Sequence, residues 1–267
     1  ENILYQVKDS GMTIGLVLTM GNIHEGHLSL IREAQSNNEF VVATIFINPT
    51  QFNDESDYNS YPQTLENDVK KLRSLNFDLL YLPEVSDIYP RGLNIEKSIT
   101  VHRDILCDKF RPGHFDGVTT VVDAFFNIIK PNNSYFGDKD FQQVKYVNEL
   151  VKIKNHKINI ISCSSIRDNL GMSLSSRNSK FKMEQLEIFK NLANKIVKLV
   201  DLIKQRNTKI KLDDFVKDLS KININKIDYF EIRDEQSLMV TDDYARARLF
   251  IALYIDEIRI IDNFKLY

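Results

Sequence analysis

The sequence has little of what marks the specialised classes of protein. Its two cysteines, Cys107 and Cys163, are too few for a disulfide scaffold, and their spacing fits no metal or redox motif. Six prolines and nine glycines exclude a collagen-like chain, and a hydrophobic content of 43% excludes disorder. No window approaches the roughly 20 apolar residues of a membrane helix, and we expect no signal peptide at the start of the chain. We expect a cytoplasmic globular protein with reduced thiols.

An excess of either charge is also missing. The 35 Lys and Arg residues nearly balance the 37 Asp and Glu residues, which leaves a net charge of -2. A general basic field that could hold nucleic acid is therefore excluded, and any anion site must be local. A length of 267 residues allows one large domain or two modest ones.

Short apolar runs alternate with amphipathic stretches as far as residue 165. Runs at residues 14–18, 40–47, 78–82, 135–136 and 158–161 predict strands. The stretches between them predict helices that begin near His27, after Thr64, after Gly117 and near Val144. Such alternation predicts an α/β domain with a doubly wound, Rossmann-like parallel sheet over residues 1–165. Ligands bind such sheets at the carboxyl ends of the strands.

The pattern changes at Ile166. A polar segment without a regular period is followed by a long apolar stripe at helical spacing between Leu186 and Ile203, and by a second helix at residues 212–219. Strand-like runs follow at residues 227–232, 249–255 and 258–261. Residues 166–267 are therefore predicted to form a second, smaller, mixed α+β domain.

A His-x-Gly-His motif, made of His24, Gly26 and His27, follows the first predicted strand. A helix N-terminus offers free N–H groups to a phosphate, and glycine lets a nucleotide approach the backbone. Protonated imidazoles could neutralise charge on a leaving pyrophosphate. The alternatives are a zinc pair or two structural histidines. A zinc site lacks a third ligand nearby, so we favour phosphate binding.

Two further segments follow predicted strands. Gln51 ends an Asn-Pro-Thr-Gln sequence, where the amide could bind a hydroxyl or carboxylate while Asn48 initiates a turn. After Gly137, Lys139 suits a phosphate and Asp140 a ribose hydroxyl, although an acidic first helical turn needs no ligand.

Two loops carry weaker signals. Ser175, Ser176 and Arg177 place hydroxyls beside a guanidinium, which suits a phosphate but is also ordinary loop composition. The loop with Arg111 and His114 could bind a ligand, although a helix-entry turn is the favoured interpretation.

Together these segments resemble the pantothenate synthetases (pantoate–β-alanine ligases), a family of the His-x-Gly-His nucleotidylyltransferase superfamily. The similar stretches keep the family's order and cover nearly the whole chain: TMGNIHEGHLSLI, IFINPTQF, YPQTLENDV, FRPGHFDGVTTVV, YFGDKDFQQV, SLSSRN and DYFEIRD. Leu18 stands where the family usually has proline. The resemblance also implies a further short strand before the helix expected at residues 2–8.

The resemblance implies an ATP-dependent ligase of the coenzyme A pathway. It would condense (R)-pantoate with β-alanine to pantothenate through a pantoyl-adenylate, releasing AMP and pyrophosphate. ATP would be a substrate and Mg²⁺ a cofactor with unspecified ligands. The resemblance further implies a cytoplasmic homodimer, with residues 1–165 binding nucleotide and pantoate and residues 166–267 closing over the ATP site.

The resemblance also implies roles for individual residues. His27 would be the proton donor and His24 would assist at the phosphates. Gln51 and Gln143 would bind pantoate, and Gln51 would also contact β-alanine. The remaining catalytic residues would be Lys139, Ser175, Ser176 and Arg177. The ATP site would comprise Met20, Gly21, Asn22, Ile23, His24, Glu25, Gly26, His27, Gly137, Asp138, Lys139, Asp140, Ile166, Leu174, Ser175, Ser176 and Arg177.

Three other classes compete with this interpretation. A different His-x-Gly-His nucleotidylyltransferase, acting on a phosphate acceptor, would not need both glutamines. A class I aminoacyl-tRNA synthetase would need a tRNA-binding domain, for which neither length nor charge leaves room. A non-enzymatic nucleotide-binding regulator would not need the full set of histidines, glutamines and Arg177.

Overall fold

The computed structural model describes residues 2–206, 212–224 and 226–267, and the chain divides into two compact units, Glu1–Ser165 and Ile166–Tyr267. The first unit contains a parallel sheet, which confirms the predicted doubly wound architecture. Its strands are β1 (Ile14–Thr19), β2 (Phe40–Ile45), β3 (Leu79–Tyr81), β4 (Asn133–Gly137) and β5 (Asn159–Cys163), in the order β3-β2-β1-β4-β5.

The strand order places the candidate site. The chain proceeds from β1 outward to β3, then returns to place β4 on the other side of β1. This reversal lies between β1 and β4, and the crevice at the carboxyl ends of two such strands is the usual ligand site of an open α/β sheet. The His-x-Gly-His motif follows β1 and Gly137 ends β4, so the fold brings these two segments to the same crevice.

Apolar side chains on both faces of the central strands hold this sheet against its helices. The buried cluster on one face joins residues of β1, β2, β4 and the adjoining helices: Val17, Ile23, Leu30, Ile31, Ala34, Val41, Ala43, Leu72 and Tyr135. The nearly continuous apolar run of β2 therefore reflects burial from both sides.

The helices of the first unit are α1 (Asn2–Asp9), α2 (Glu25–Asn37), α3 (Glu55–Asn59), α4 (Leu65–Arg73), α5 (Val85–Ile88), α6 (Leu106–Phe110), α7 (His114–Ile129) and α8 (Phe141–Ile153). Three predicted starts were late, and that of α8 lies at Phe141 rather than near Val144. Helix α2 begins at Glu25 because His24 occupies the N-cap in an extended conformation. Helix α7 begins at His114 because Gly113 adopts a left-handed φ of 81° that turns the chain into the helix.

The second unit confirms the predicted mixed α+β fold. It contains α9 (Met183–Arg206), α10 (Leu212–Leu219) and an antiparallel sheet of β6 (Ile227–Asp234), β7 (Ala247–Ile255) and β8 (Ile258–Lys265), in that order. Its core joins the inner face of the sheet to α9 through residues such as Leu192, Ile196, Leu249, Ile251 and Leu253. Among the described residues, no helix is long and apolar enough to cross a bilayer.

Candidate active site

The loop after β1 is held in place by a buried carboxylate. Asp68 of α4 is 1% exposed and accepts hydrogen bonds from the backbone N–H groups of Asn22 (2.9 Å) and Ile23 (2.7 Å) and from the Thr64 hydroxyl (3.0 Å). Gly21 has a φ of +83°, and a Cβ there would lie 3.1 Å from the Asp68 carboxylate. This loop therefore depends on glycine and on a carboxylate that sequence analysis did not single out.

Helix α4 also contributes a cation. The ammonium group of Lys71 donates a hydrogen bond to the Ile23 carbonyl at 2.5 Å. This contact places a positive charge beside the residues that lead into the His-x-Gly-His motif. Sequence analysis missed Lys71 as well, although the stretch that contains Asp68 belongs to the family resemblance.

The two motif histidines stack on each other at the start of α2. Their ring centroids are 4.0 Å apart, at an interplanar angle of 28°. The backbone N–H of His24 donates to Nδ1 of His27 at 3.3 Å, so Nδ1 is an acceptor and a neutral His27 carries its proton on Nε2. Gly26 permits this stacking, because a Cβ at that position would lie 3.0 Å from the His24 ring.

Both imidazoles have depressed pKa values. Burial, followed by the positive charges of Lys139 and Lys71, lowers the pKa of His24 to about 4, although Asp140 opposes the shift. Burial and then the charges of His24, Lys139 and Lys71 lower the pKa of His27 well below its ordinary value. These lowered pKa values oppose the protonated imidazoles that the sequence analysis expected. Both rings are neutral near pH 7 and offer N–H hydrogen bonds instead.

The loop after β4 contributes the other side of the crevice. Residues Asp138–Asp140 form a short 3₁₀-helix before α8, and the Asp138 carboxylate accepts a hydrogen bond from the Ser162 hydroxyl. The effects of Lys139 and Asp140 on the pKa of His24 show that this loop lies near the histidine pair. A Cβ at Gly137 would meet no protein atom within 4 Å. The fold thus brings together two motifs that are separate in sequence.

Gln51 lies at the end of a 3₁₀-helix, Pro49–Gln51, beyond β2. Its amide Nε2 is 3.0 Å from the Met20 sulfur, and its Oε1 accepts a hydrogen bond from the buried Asn48 amide at 3.1 Å. The Asn48 side chain also accepts from Thr50, so Asn48 both shapes the turn and orients Gln51. The Met20 contact joins Gln51 to the loop after β1.

The Arg111–His114 loop holds the backbone of Gln51. The Gln51 carbonyl accepts hydrogen bonds from His114 Nδ1 at 2.7 Å and from the Arg111 guanidinium at 3.3 Å. Gly117 of α7 packs so closely on Thr50 that a Cβ would overlap the Thr50 carbonyl. The favoured turn interpretation of this loop was incomplete, since the loop also fixes the candidate pantoate residue.

Adjacent glutamines at the start of α8 have different surroundings. Gln142 is buried, accepts from the Cys107 N–H at 2.9 Å and donates to the Ile105 carbonyl at 3.0 Å. Gln143 is half-buried. These contacts give Gln142 a structural role and leave Gln143 as the candidate ligand-binding residue.

The predicted phosphate clamp lies in the second unit. The Leu174 N–H donates to the Ile166 carbonyl at 3.0 Å, which joins two residues assigned to the ATP site. The Ser175 hydroxyl accepts from the Arg177 N–H at 3.2 Å and caps the 3₁₀-helix Ser176–Lys180. This segment is thus an ordered, capped turn.

A resident metal cage is absent from the described residues, where no three His, Cys, Asp or Glu side chains are grouped to hold an ion. Asp68 is occupied by three hydrogen bonds from the protein. Mg²⁺ commonly keeps several waters and is bound through substrate phosphates with one or two carboxylates. A Mg²⁺ ion bound chiefly through substrate phosphates would need no such cage of protein ligands.

Comparison with known proteins gives one consistent result. A profile of the pantoate-beta-alanine ligase family matches residues 1–265. The chain is 37% identical to a pantothenate synthetase of Acetivibrio thermocellus over 98% of this chain and 94% of the relative. It is 40% identical to one of Francisella philomiragia over 98% and 93%.

Solved structures agree with these relatives. Pantothenate synthetase from Thermus thermophilus superposes with a TM-score of 0.88 at 30% identity, covering 99% of this chain and 98% of that one. Pantoate-beta-alanine ligase from Francisella tularensis, complexed with beta-gamma ATP and beta-alanine, superposes with a TM-score of 0.85 at 35% identity, covering 99% and 95%.

Proposed function

The chain belongs to the pantoate–β-alanine ligase family and is therefore an ATP-dependent, amide-forming ligase that joins pantoate to β-alanine, and we propose that its substrates meet at the carboxyl ends of β1, β2 and β4. The observation that carries this assignment is the cluster of two neutral, stacked histidines with Lys71 and Lys139. Two cations and N–H donors at a helix N-terminus suit a polyphosphate.

We propose two chemical steps. The pantoate carboxylate attacks the α-phosphorus of ATP, which forms pantoyl-adenylate and releases pyrophosphate. The amine of β-alanine then attacks the activated carbonyl, forming the amide and releasing AMP and a proton. The enzyme need only align the reactants and stabilise developing charge, so no covalent nucleophile is required.

The histidines act on the phosphates in this scheme. The Nε2–H of neutral His27 donates to an oxygen that gains charge as pyrophosphate leaves, and His24 assists from the stacked position. Lys139 and residues 174–177, with Ser175, Ser176 and Arg177, neutralise the remaining phosphate charge. The other predicted ATP contacts in residues 20–27 and 137–140 and at Ile166 belong to the same proposal.

Gln51 and Gln143 recognise pantoate. A primary amide can donate to the pantoate carboxylate and accept from its hydroxyls, which matches a small hydroxy acid. The contacts of Gln51 with Asn48 and Met20 support a preset orientation. Gln51 also contacts β-alanine in this proposal.

Mg²⁺ would be held by the phosphates of ATP and by water, and it would supply positive charge at those phosphates. The homodimer and the cytoplasmic location stay predictions of the resemblance.

Isotope exchange tests the order of the steps. Labelled pyrophosphate should enter ATP when pantoate and Mg²⁺ are present and β-alanine is absent. Exchange that requires β-alanine would contradict the adenylate intermediate.

A coupled assay for AMP, with each substrate omitted in turn, tests the overall reaction. A dinucleotide and pyrophosphate formed without free AMP, when nicotinate mononucleotide replaces pantoate and β-alanine, would instead favour a nucleotidylyltransferase with a phosphate acceptor.

A further inference from the structure

Asp262 of β8 is a buried carboxylate, and most of its hydrogen bonds come from one loop that is distant in sequence. Its side chain is 1% exposed. It accepts hydrogen bonds from the Ser173 N–H (2.8 Å), the Ser173 hydroxyl (2.6 Å), the Asn263 N–H (2.8 Å) and the Arg167 guanidinium (3.0 Å). Burying a carboxylate reduces the free energy of unfolding unless the group is paired with a cation and hydrogen-bonded. Asp262 meets both conditions.

Two of these partners, Arg167 and Ser173, belong to a short hairpin at residues 166–174. Arg167 and Ser173 face each other across an antiparallel bridge, and Leu174 bonds back to Ile166 at 3.0 Å. Gly171 turns the tip with a φ of +83°. Asp262 therefore fixes both arms of the hairpin at its open end, where the chain continues into residues 174–177.

Ser173, which Asp262 contacts, is followed almost directly by the serine and arginine residues of that segment. Ser173 lies two residues before Ser175, whose hydroxyl already caps the turn that contains Arg177. The position of the Ser173 backbone therefore determines where the capped turn lies. Holding phosphate donors in position before the ligand arrives reduces the ordering cost of binding.

We propose that Asp262 is a positioning residue for the phosphate-binding segment, residues 174–177, and that it sets affinity for the polyphosphate of ATP without touching it. This inference rests on the proposed function, which assigns residues 174–177 to the phosphates. It differs from a purely structural role, in which Asp262 only ties the hairpin to β8 and affects all substrates equally.

The chain offers a matched control for this distinction. Asp228 of β6 is another buried carboxylate of the same sheet, 7% exposed and bonded to Arg259 at 2.8 Å. Asp262→Asn and Asp228→Asn are the same chemical change, and each weakens one buried carboxylate–arginine pair. Asp262 accepts from Ser173, whereas the bonds of Asp228 described here go to Arg259 and Tyr254.

The experiment compares KM for ATP and for pantoate in the full-length protein, with thermal unfolding recorded for each variant. Asp262→Asn should raise KM for ATP about tenfold and leave KM for pantoate within about twofold, because one strong charged hydrogen-bond acceptor is lost. Ser173→Ala removes only the hydroxyl bond and should raise KM for ATP about threefold. Asp228→Asn should lower thermal stability without changing KM for ATP.

Equal KM values for ATP in Asp262→Asn and Asp228→Asn would overturn the inference, as would a uniform rise for every substrate. If Asp262→Asn does not fold, Ser173→Ala decides by the same criterion.

The dissociation constant of ATP, measured without pantoate, separates this inference from the proposed function. A parent protein that binds ATP but makes no pantothenate contradicts the function, while the effect of Asp262→Asn on ATP binding still decides the inference. A parent that binds no ATP contradicts both.

Discussion

His24 stacks on His27 at 4.0 Å, and its Nδ1 is buried with no hydrogen-bond partner among the described residues. A buried polar atom without a partner costs free energy that a ligand can recover. The stacked pair therefore combines a depressed pKa with unused hydrogen-bonding capacity. This combination is suited to a site that receives an anion.

Replacing His27 by Ala should reduce formation of the adenylate by about 100-fold or more, because the N–H donor at the leaving pyrophosphate is lost. Pyrophosphate exchange in the presence of pantoate measures this step. His156→Ala is a suitable control, since His156 pairs with Asp123 at 2.5 Å rather than with the motif. Exchange by the His27 variant within a few fold of the parent would remove His27 from the catalytic machinery.

The histidine pair should make the folded protein sensitive to acid. The pKa of His24 falls from 6.5 to about 4 on folding, so between these values the unfolded chain binds more protons than the folded one. The free energy of unfolding should therefore decrease as pH falls from 6.5 toward 4. Denaturant titrations above and below pH 6.5 measure this slope, which should be shallower in His24→Gln. An unchanged slope would indicate that His24 keeps its ordinary pKa.

The two adjacent glutamines of α8 should respond differently to substitution. Gln143→Ala should weaken pantoate binding by about 1–3 kcal/mol and leave ATP binding unchanged, since a polar group of pantoate loses its partner. Gln142→Ala should mainly lower stability, because it removes the hydrogen bonds of this side chain to the Cys107 N–H and the Ile105 carbonyl. Substrate titrations and thermal unfolding of both variants test this contrast. Loss of pantoate affinity only in the Gln142 variant would reverse the assignment.

Gly137→Ala should separate folding from nucleotide binding. The added Cβ meets no protein atom within 4 Å, and the φ of -77° is open to alanine, so thermal stability should not decrease. A nucleotide that approaches this backbone would meet the methyl group, and KM for ATP should rise about tenfold. A variant with normal stability and normal KM for ATP would show that the nucleotide does not approach Gly137.

The sequence was sufficient to predict the parallel sheet and the position of the crevice. Apolar runs such as residues 40–47 identify strands because burial on both faces requires apolar side chains throughout. The His-x-Gly-His motif and Gly137 follow such runs directly, so local order along the chain already indicated that they share the carboxyl edge. The late starts predicted for α2 and α7 arose because His24 and Gly113 set those starts through backbone geometry rather than through apolar spacing.

Only the tertiary structure decided how the site residues are held and charged. Asp68 is separated from Asn22 by 46 residues, His114 from Gln51 by 63 and Asp262 from Ser173 by 89, and no periodic pattern encodes such pairs. The same holds for the histidine pKa values, which depend on burial and on cations that α4 and the loop after β4 contribute. Residue types and their local order are properties of the sequence, whereas burial and the distances between charges exist only once the chain has folded.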